Sequence, residues 1–110
     1  MRLRVFAVTS LALLSLLPSI NVQAQASVDD GRKLFVDGVA PLPACALCHT
    51  LKKAGASGQI GPDLDDLRPD ADRVEKAMRN GIGPMPSFKT LSEAQIKMLA
   101  SYVAGAAGAP

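Results

Sequence analysis

The 110-residue chain is poor in aromatic side chains and in nitrogen and sulfur donors. It contains no tryptophan, one tyrosine, three phenylalanines, two cysteines and one histidine. The cysteines and the histidine together fall short of the roughly four ligands that a structural zinc site needs. A net charge of +2, without a concentrated basic stripe, gives no indication of nucleic-acid binding. A chain of this length forms one domain at most, and few large side chains are available for its core.

The beginning of the chain has the features of an export signal. Two arginines precede an almost unbroken apolar run over residues 5–17, which is too short to span a bilayer comfortably. Small residues follow in the pattern that signal peptidase prefers, and we predict cleavage after Ala26, with Ala24 as the alternative end. We therefore expect residues 1–26 to be a cleaved signal peptide, and the mature chain to have no stable membrane anchor.

The stretch Cys45-Ala46-Leu47-Cys48-His49 is the most informative in the sequence. At this spacing both thiols can add to the vinyl groups of one haem, and the histidine can become an axial ligand of its iron. We therefore predict one haem c, attached covalently through Cys45 and Cys48 and ligated by His49. Export agrees with this prediction, because haem of this type is attached outside the bacterial cytoplasm, which indicates a periplasmic protein.

Three other interpretations apply to the same two cysteines. A thiol–disulfide exchange motif normally opens a helix after a strand in a βαβ unit, and the chain lacks that alternation. A zinc site lacks ligands. A chance match, with the cysteines free or joined in a local disulfide, can occur with any five-residue pattern. The motif and its surroundings favour haem attachment over all three.

Helical patterns dominate the mature chain, and no segment shows strand-like alternation of useful length. Capping residues mark the starts of three helices at Ser27, Asp70 and Ser92. The predicted elements are helices over 27–38, over 70–80 and from 92 onward, a turn or short helix over 62–67, loops over 52–61 and 81–88, and a flexible tail over 106–110. We therefore predict an all-α domain over residues 27–105.

A second axial ligand for the iron must come from methionine, because His49 is the only histidine. Met78 lies on a predicted helix beside apolar residues, and Met98 falls outside the apolar stripe of the last helix, so both are expected to be structural or partly exposed. Met85 lies between two prolines in a glycine-containing loop, which restricts the backbone and can approach a flat surface closely. We predict Met85 as the sixth ligand, against the simpler interpretation of a surface turn that contains a methionine.

Together these motifs resemble a small bacterial class I c-type cytochrome with one haem. The resemblance covers the whole mature chain and rests on ordered, separated pieces. They are Gly31 with Phe35, the motif from Cys45 to His49, Gly61-Pro62-Asp63-Leu64, Gly83-Pro84-Met85-Pro86-Ser87-Phe88, and Leu99 with Tyr102. The resemblance implies an all-α fold in which about four to five helices wrap round the haem. The segments between the motifs are brief, as in compact bacterial members of the family.

The resemblance also implies a crossing of the first and last helices. Gly31 is expected to let the two helix backbones come close. Phe35, Leu99 and Tyr102 are expected to pack around that crossing.

Two further roles near the haem follow from the resemblance. Pro62 is expected to accept, through its backbone carbonyl, a hydrogen bond from the outer ring nitrogen of His49. That bond fixes the tautomer of the imidazole and raises its basicity as a ligand. Leu64, with Leu67, is expected to cover a face of the haem.

Histidine and methionine would fill both axial positions of the iron and raise its reduction potential. The implied function is one-electron transfer rather than catalysis, by a free shuttle or by a non-catalytic subunit of an oxidoreductase. The expected partners are a periplasmic dehydrogenase as donor, and a terminal oxidase or another cytochrome as acceptor. The motifs are similar to those of cytochromes that accept electrons from molybdenum dehydrogenases, sulfite dehydrogenase in particular. Positive charges at Lys52, Lys53, Arg79 and Lys89 could steer such encounters.

A different class of function is a haem enzyme or gas sensor, peroxidase-like, in which Met85 leaves the iron and exposes a site for peroxide or a diatomic ligand. The sequence offers no second histidine and no obvious distal acid–base pair for that chemistry. A third class is a non-haem redox or structural domain that uses the two thiols. A low-spin c-type spectrum, a high-spin haem and a colourless protein would distinguish the three classes.

Overall fold

Helices account for most of the regular structure in residues 22–110, which are the part of the chain that the computed structural model describes, with side chains from residue 27 onward. The elements in chain order are α1 (Val22–Asp37), a 3₁₀ turn (Cys45–Leu47), β1 (Thr50–Leu51), a second 3₁₀ turn (Lys52–Ala54), β2 (Ala56–Ser57), α2 (Leu64–Leu67), α3 (Ala71–Asn80) and α4 (Glu93–Ala106). The prediction of an all-α fold is confirmed. The domain boundaries and the flexibility of the tail stay predictions, and most of the predicted signal peptide lies outside the described residues.

The starts of the last two helices are confirmed by their caps. Asp70 Oδ1 accepts a hydrogen bond from the N–H of Arg73 at 2.8 Å, and α3 ends before Gly81, whose φ is +70°. At the start of α4, Ser92 Oγ accepts from the N–H of Gln95 at 3.1 Å, while Gln95 Oε1 accepts from the N–H of Ser92 at 3.0 Å. These side chains satisfy backbone donors that have no partner inside the helix.

α1 begins earlier than its sequence pattern predicts. The capping box at Ser27 predicts a helix start there, and this prediction is wrong, since α1 begins at Val22. Residues 22–26 are Val-Gln-Ala-Gln-Ala, which include good helix formers and no glycine or proline that would stop a helix. The predicted cleavage positions after Ala24 and Ala26 therefore fall within α1 of the uncleaved chain, and cleavage itself stays a prediction.

The predicted loop over residues 52–61 contains part of a small hairpin. β1 pairs antiparallel with β2, with Thr50 opposite Ser57 and Leu51 opposite Ala56. Leu51 is completely buried, so the hairpin contributes to the core. Strands of two residues are too short for a period-two pattern to be visible in the sequence, which is why the pairing was not predicted.

α1 packs against α4, and Gly31 lies where their backbones come close. A Cβ atom on Gly31 would lie 2.6 Å from Tyr102 Cβ and 3.3 Å from the carbonyl oxygen of Met98. The Phe35 ring is buried against Tyr102, with ring centroids 6.1 Å apart and an interplanar angle of 59°. The helix crossing that the resemblance implies is therefore present. The predicted apolar stripe of α4 is buried and consists of Ile96, Leu99, Ala100 and Val103.

α3 also packs against α4. Met78 is buried in the core, while Met98 is half-buried, which confirms that these two methionines are structural or partly exposed. Among residues 22–110, no helix has the length and hydrophobicity that crossing a membrane requires.

A buried carboxylate on α2 ties the end of the chain to the segment that follows the cysteine motif. Asp65 Oδ2 accepts a hydrogen bond from the N–H of Lys52, and Asp65 Oδ1 accepts one from the N–H of Gly108, both at 2.9 Å. These two bonds, together with the positive charges of Lys52 and Arg68, hold the pKa of Asp65 below its usual range. Gly108 belongs to the predicted flexible tail, so that segment has one defined contact with the rest of the domain.

We expect Asp65→Asn to lower the free energy of unfolding by about 2 kcal/mol at neutral pH, because an amide nitrogen would replace one of the two accepting oxygens and leave an N–H unpaired. Folding lowers the pKa of Asp65, so its contribution is fully present above the unfolded-state pKa of about 3.9 and is lost as the pH falls through the lowered folded-state value. In urea unfolding, the variant and the wild type should therefore differ at neutral pH and converge in strong acid. Asp66→Asn, on the exposed neighbour, is the control, and a difference that does not change with pH would contradict the prediction.

Candidate haem site

The first 3₁₀ turn begins at Cys45, and Cys48 is the residue that follows its end. The carbonyl of Cys45 accepts hydrogen bonds from the N–H groups of Cys48 at 3.1 Å and of His49 at 3.0 Å. Residues three apart lie close together across such a turn. Both thiols are free and partly buried. The turn therefore brings two thiol-bearing residues together immediately before the histidine.

Burial changes the acidity of the first of these thiols. Cys45 packs against the hydrophobic core, and this burial raises its pKa to about 11. In the folded chain Cys45 is therefore a neutral thiol at neutral pH. Within residues 27–110, no group of three or more His, Cys, Asp or Glu side chains could hold a metal ion.

The ring of His49 is held by the segment that follows β2. His49 Nδ1 lies 2.7 Å from the carbonyl oxygen of Pro62. Because a carbonyl oxygen can only accept, the hydrogen of the imidazole lies on Nδ1 and is donated to Pro62. The hydrogen bond that the resemblance implies is therefore present. It leaves the lone pair of Nε2 available to a metal ion.

Two glycines make space for the motif. A Cβ atom on Gly61 would lie 2.6 Å from Cε1 and 2.9 Å from Nδ1 of His49, and one on Gly58 would lie 2.6 Å from the carbonyl carbon of Cys48. The N–H of Gly61 also donates to the carbonyl of Cys48 at 2.7 Å. In the sequence, Gly58 and Gly61 are predicted only as loop residues, and Gly61 also belongs to the resemblance through Gly61-Pro62-Asp63-Leu64. Two glycines three residues apart, directly before Pro62, are the sequence signal that could have marked a close approach of the chain to the motif.

Leu64 begins α2 and is buried in the hydrophobic core. Asp63 caps this short helix, with its Oδ1 accepting from the N–H of Asp65 at 2.9 Å. Leu67, at the other end of α2, is 38% exposed, against 8% for Leu64. The cover that Leu64 and Leu67 would give to a haem face stays a prediction.

Met85 lies in the loop between α3 and α4. Its N–H donates to the carbonyl of Ile82 at 2.9 Å, and the N–H of Ile82 donates to the carbonyl of Met85 at 3.1 Å. Gly83, with a φ of +53°, and Pro84 occupy the two central positions of this tight turn. A positive φ followed by the fixed φ of proline suits a type II′ turn. Met85 is half-buried against the hydrophobic core, and its bond to iron stays a prediction.

The side chains of this site fit a c-type haem. Cys45 and Cys48 supply adjacent thiols for two thioether bonds, and His49 supplies a ring nitrogen whose opposite nitrogen is already held. Gly61 leaves space beside the imidazole that a larger residue would fill. Large apolar side chains that flank the motif and the Met85 turn are exposed and suit contact with a broad apolar ring; they are Leu47, Ile60 and Ile82.

The chain is similar to known c-type cytochromes in sequence and in fold. The family model described as cytochrome C oxidase, cbb3-type, subunit III matches residues 26–103. The chain is also similar to the crystal structure of the c-type cytochrome SorU from Sinorhizobium meliloti, with 46% sequence identity and a TM-score of 0.70 over 76% of this chain and 94% of that one. No curated protein matches the chain. The chain therefore belongs to this family of c-type cytochromes, as a small class I member.

Proposed function

We propose that this cytochrome is a one-electron carrier of the bacterial periplasm, exported by a signal peptide over residues 1–26. One haem c is attached through Cys45 and Cys48, with His49 and Met85 as the axial ligands. The observation that carries the proposal is the turn with two thiols, followed at once by an imidazole that Pro62 fixes by a hydrogen bond. The similarity to a c-type cytochrome of 46% sequence identity supports it.

The side chains around the motif prepare the ligands for this role. A bound haem supplies an iron that takes up and releases one electron. The carbonyl of Pro62 keeps the hydrogen of His49 on Nδ1. An imidazole held in this way binds a metal through Nε2 more strongly than an imidazole without such a partner. The thioether of Met85 is a soft ligand that favours ferrous iron and raises the reduction potential. Because protein side chains take both axial positions, no position is left for a substrate, and we propose that the protein is not an enzyme.

We infer that the redox partners are proteins that meet this cytochrome through a small, short-lived contact. By resemblance, the donor is a periplasmic molybdenum dehydrogenase such as sulfite dehydrogenase, and the acceptor is a terminal oxidase or another cytochrome. Lys52, Lys53 and Lys89 are exposed and are available to steer an acidic partner. Arg79 is not equally available, because its guanidinium group is paired with two glutamates of its own chain.

Replacing Met85 by alanine tests the ligand set. We expect the ferric holoprotein to lose completely the weak absorption in the red that methionine ligation gives, and its reduction potential to fall, because the thioether ligand is gone. Visible spectroscopy and a redox titration measure the two effects. Met98→Ala, on a half-buried methionine of α4, is the matched control and should keep the wild-type spectrum.

The outcomes separate the parts of the proposal. A Met85→Ala protein that keeps the red absorption rules out this methionine as the ligand. A wild-type protein that binds haem but is high-spin favours the haem enzyme or gas sensor instead. A chain exported and purified without covalent haem refutes the proposed function as a whole.

A further inference from the structure

The loop that carries Met85, residues 81–88, returns to the helix turn from which it departs. The last four carbonyls of an α-helix have no partner inside the helix. In α3, the carbonyl of Met78 accepts from the N–H of Phe88 at 2.7 Å, and the carbonyl of Arg79 accepts from the hydroxyl of Ser87 at 2.9 Å. The end of the Met85 loop is therefore attached to the end of α3 by one backbone bond and one side-chain bond.

The beginning of the loop is equally constrained. The N–H of Gly81 donates to the carbonyl of Ala77 at 2.8 Å, so the chain leaves α3 in a fixed direction. A Cβ atom on Gly81 would lie 2.8 Å from the carbonyl oxygen of Met85 and 3.0 Å from the nitrogen of Ser87. The two ends of the loop thus lie against each other, and only the short turn around Met85 projects beyond them.

An ion pair links the last turn of α3 to the start of α4. The guanidinium of Arg79 donates to both carboxylate oxygens of Glu93, at 2.6 and 2.9 Å, and to Glu75 at 3.2 Å. Two parallel bonds of this kind fix direction as well as distance. Glu93 is the first residue of α4, so the pair joins the two helices that flank the loop. The carbonyl and the side chain of Arg79 therefore both hold the base of the Met85 loop.

We propose that Ser87 is a positioning residue for Met85, and that the Arg79–Glu93 ion pair stabilises the end of α3 to which Ser87 is hydrogen-bonded. The inference rests on the proposed function, since it concerns the strength of the bond between Met85 and iron. Ser87 follows Met85 by two residues, and the residue between them is a proline with a fixed φ. The hydroxyl bond of Ser87 is therefore the nearest side-chain anchor on the C-terminal side of the ligand, and its loss lets Met85 move without disturbing Phe88.

Competition with imidazole for the ferric iron measures this effect. An external imidazole binds by displacing the methionine, so a loosened Met85 lowers the imidazole concentration needed to remove the red absorption. For Ser87→Ala in the holoprotein we expect a dissociation constant for imidazole about 2- to 10-fold lower than that of the wild type, the range that one net hydrogen bond supports. Ser87→Thr retains a hydroxyl and should stay near the wild-type value.

Two further variants complete the experiment. Glu93→Gln, which weakens the ion pair but leaves Ser87 in place, should shift the constant in the same direction by a smaller factor. Ser101→Ala, on an exposed serine of α4, is the matched control and should leave it unchanged. Haem content and the urea midpoint are recorded for each variant, so that a general loss of stability is recognised.

The inference is overturned if Ser87→Ala binds haem and then binds imidazole as the wild type does, whatever Glu93→Gln shows. It is also overturned if Ser87→Thr shifts as far as Ser87→Ala, because the hydroxyl is then not the cause. If Ser87→Ala does not retain haem, the dissociation constant of Glu93→Gln for imidazole is the test. A value equal to that of the wild type then overturns the inference. A wild type without the red absorption is a failure of the proposed function instead, and is seen before any variant is made.

Discussion

Gly61→Ala is expected to displace the imidazole of His49 and, with the ligands proposed above, to weaken its bond to the iron in the holoprotein. The added Cβ atom would lie 2.6 Å from Cε1, 2.9 Å from Nδ1 and 3.0 Å from Nε2, so the whole edge of the ring is affected. The glycine backbone has little freedom to retreat, because its N–H donates to the carbonyl of Cys48 at 2.7 Å. The ring must therefore move and lose its hydrogen bond to Pro62.

The size of this effect follows from the cost of overpacking. Inserting a methyl group into a filled space costs about 1–3 kcal/mol. A cost in that range lowers the ratio of the His49-ligated to the unligated form by roughly 5- to 150-fold. Visible and paramagnetic resonance spectra of the ferric protein measure the low-spin fraction directly. Gly105→Ala is the matched control, because its Cβ would meet nothing within 4 Å. A low-spin fraction unchanged by Gly61→Ala would contradict the prediction.

Gly31→Ala is expected to destabilise the whole fold by about 2–3 kcal/mol, in the upper part of the range for overpacked cores. The new Cβ atom would lie 2.6 Å from Cβ of Tyr102, which no rotamer change moves, and 3.1 Å from its Cγ. α1 and α4 would have to separate, which opens the buried contact between Phe35 and Tyr102. The better helix propensity of alanine, about 1 kcal/mol over glycine, offsets only part of this cost.

Urea unfolding of the oxidised holoprotein measures the loss. Domains of this kind have about 5–15 kcal/mol of stability in all, so the expected change is a large fraction of it. Gly105→Ala makes the same substitution within α4 but without the steric conflict, and should be neutral or slightly stabilising. An unfolding midpoint for Gly31→Ala equal to that of the control would show that the two helices can accommodate the methyl group.

Local signals explain which parts of the fold the sequence predicts well. The caps at Asp70 and Ser92 bond to residues three positions away, so the pattern and the contact lie in the same short segment. The cysteine motif is also a local signal, because a single turn of chain brings Cys45, Cys48 and His49 together. Ser27 shows the weakness of such signals. A capping pattern can also occur inside a helix when the residues before it favour helix as well.

Contacts between distant segments explain what the sequence could not show. Asp65 reaches Lys52, 13 residues away, and Gly108, 43 residues away, and no local pattern marks either partner. The contact between Gly61 and His49 depends on how the hairpin of β1 and β2 folds back toward the motif. In the sequence Arg79 resembles an unpaired surface cation, but in the structure it forms ion pairs with Glu75 on α3 and Glu93 on α4. In each case the partner is supplied by the tertiary fold.

The packing of α1 against α4 brings the two ends of the described chain together. The buried contact between Phe35 and Tyr102 forms only when α4, which begins at Glu93, has joined the fold. The core against which Cys45 packs includes residues of α4, so it is incomplete without that helix. A chain shortened before Glu93 would therefore leave the cysteine turn with part of its apolar support missing.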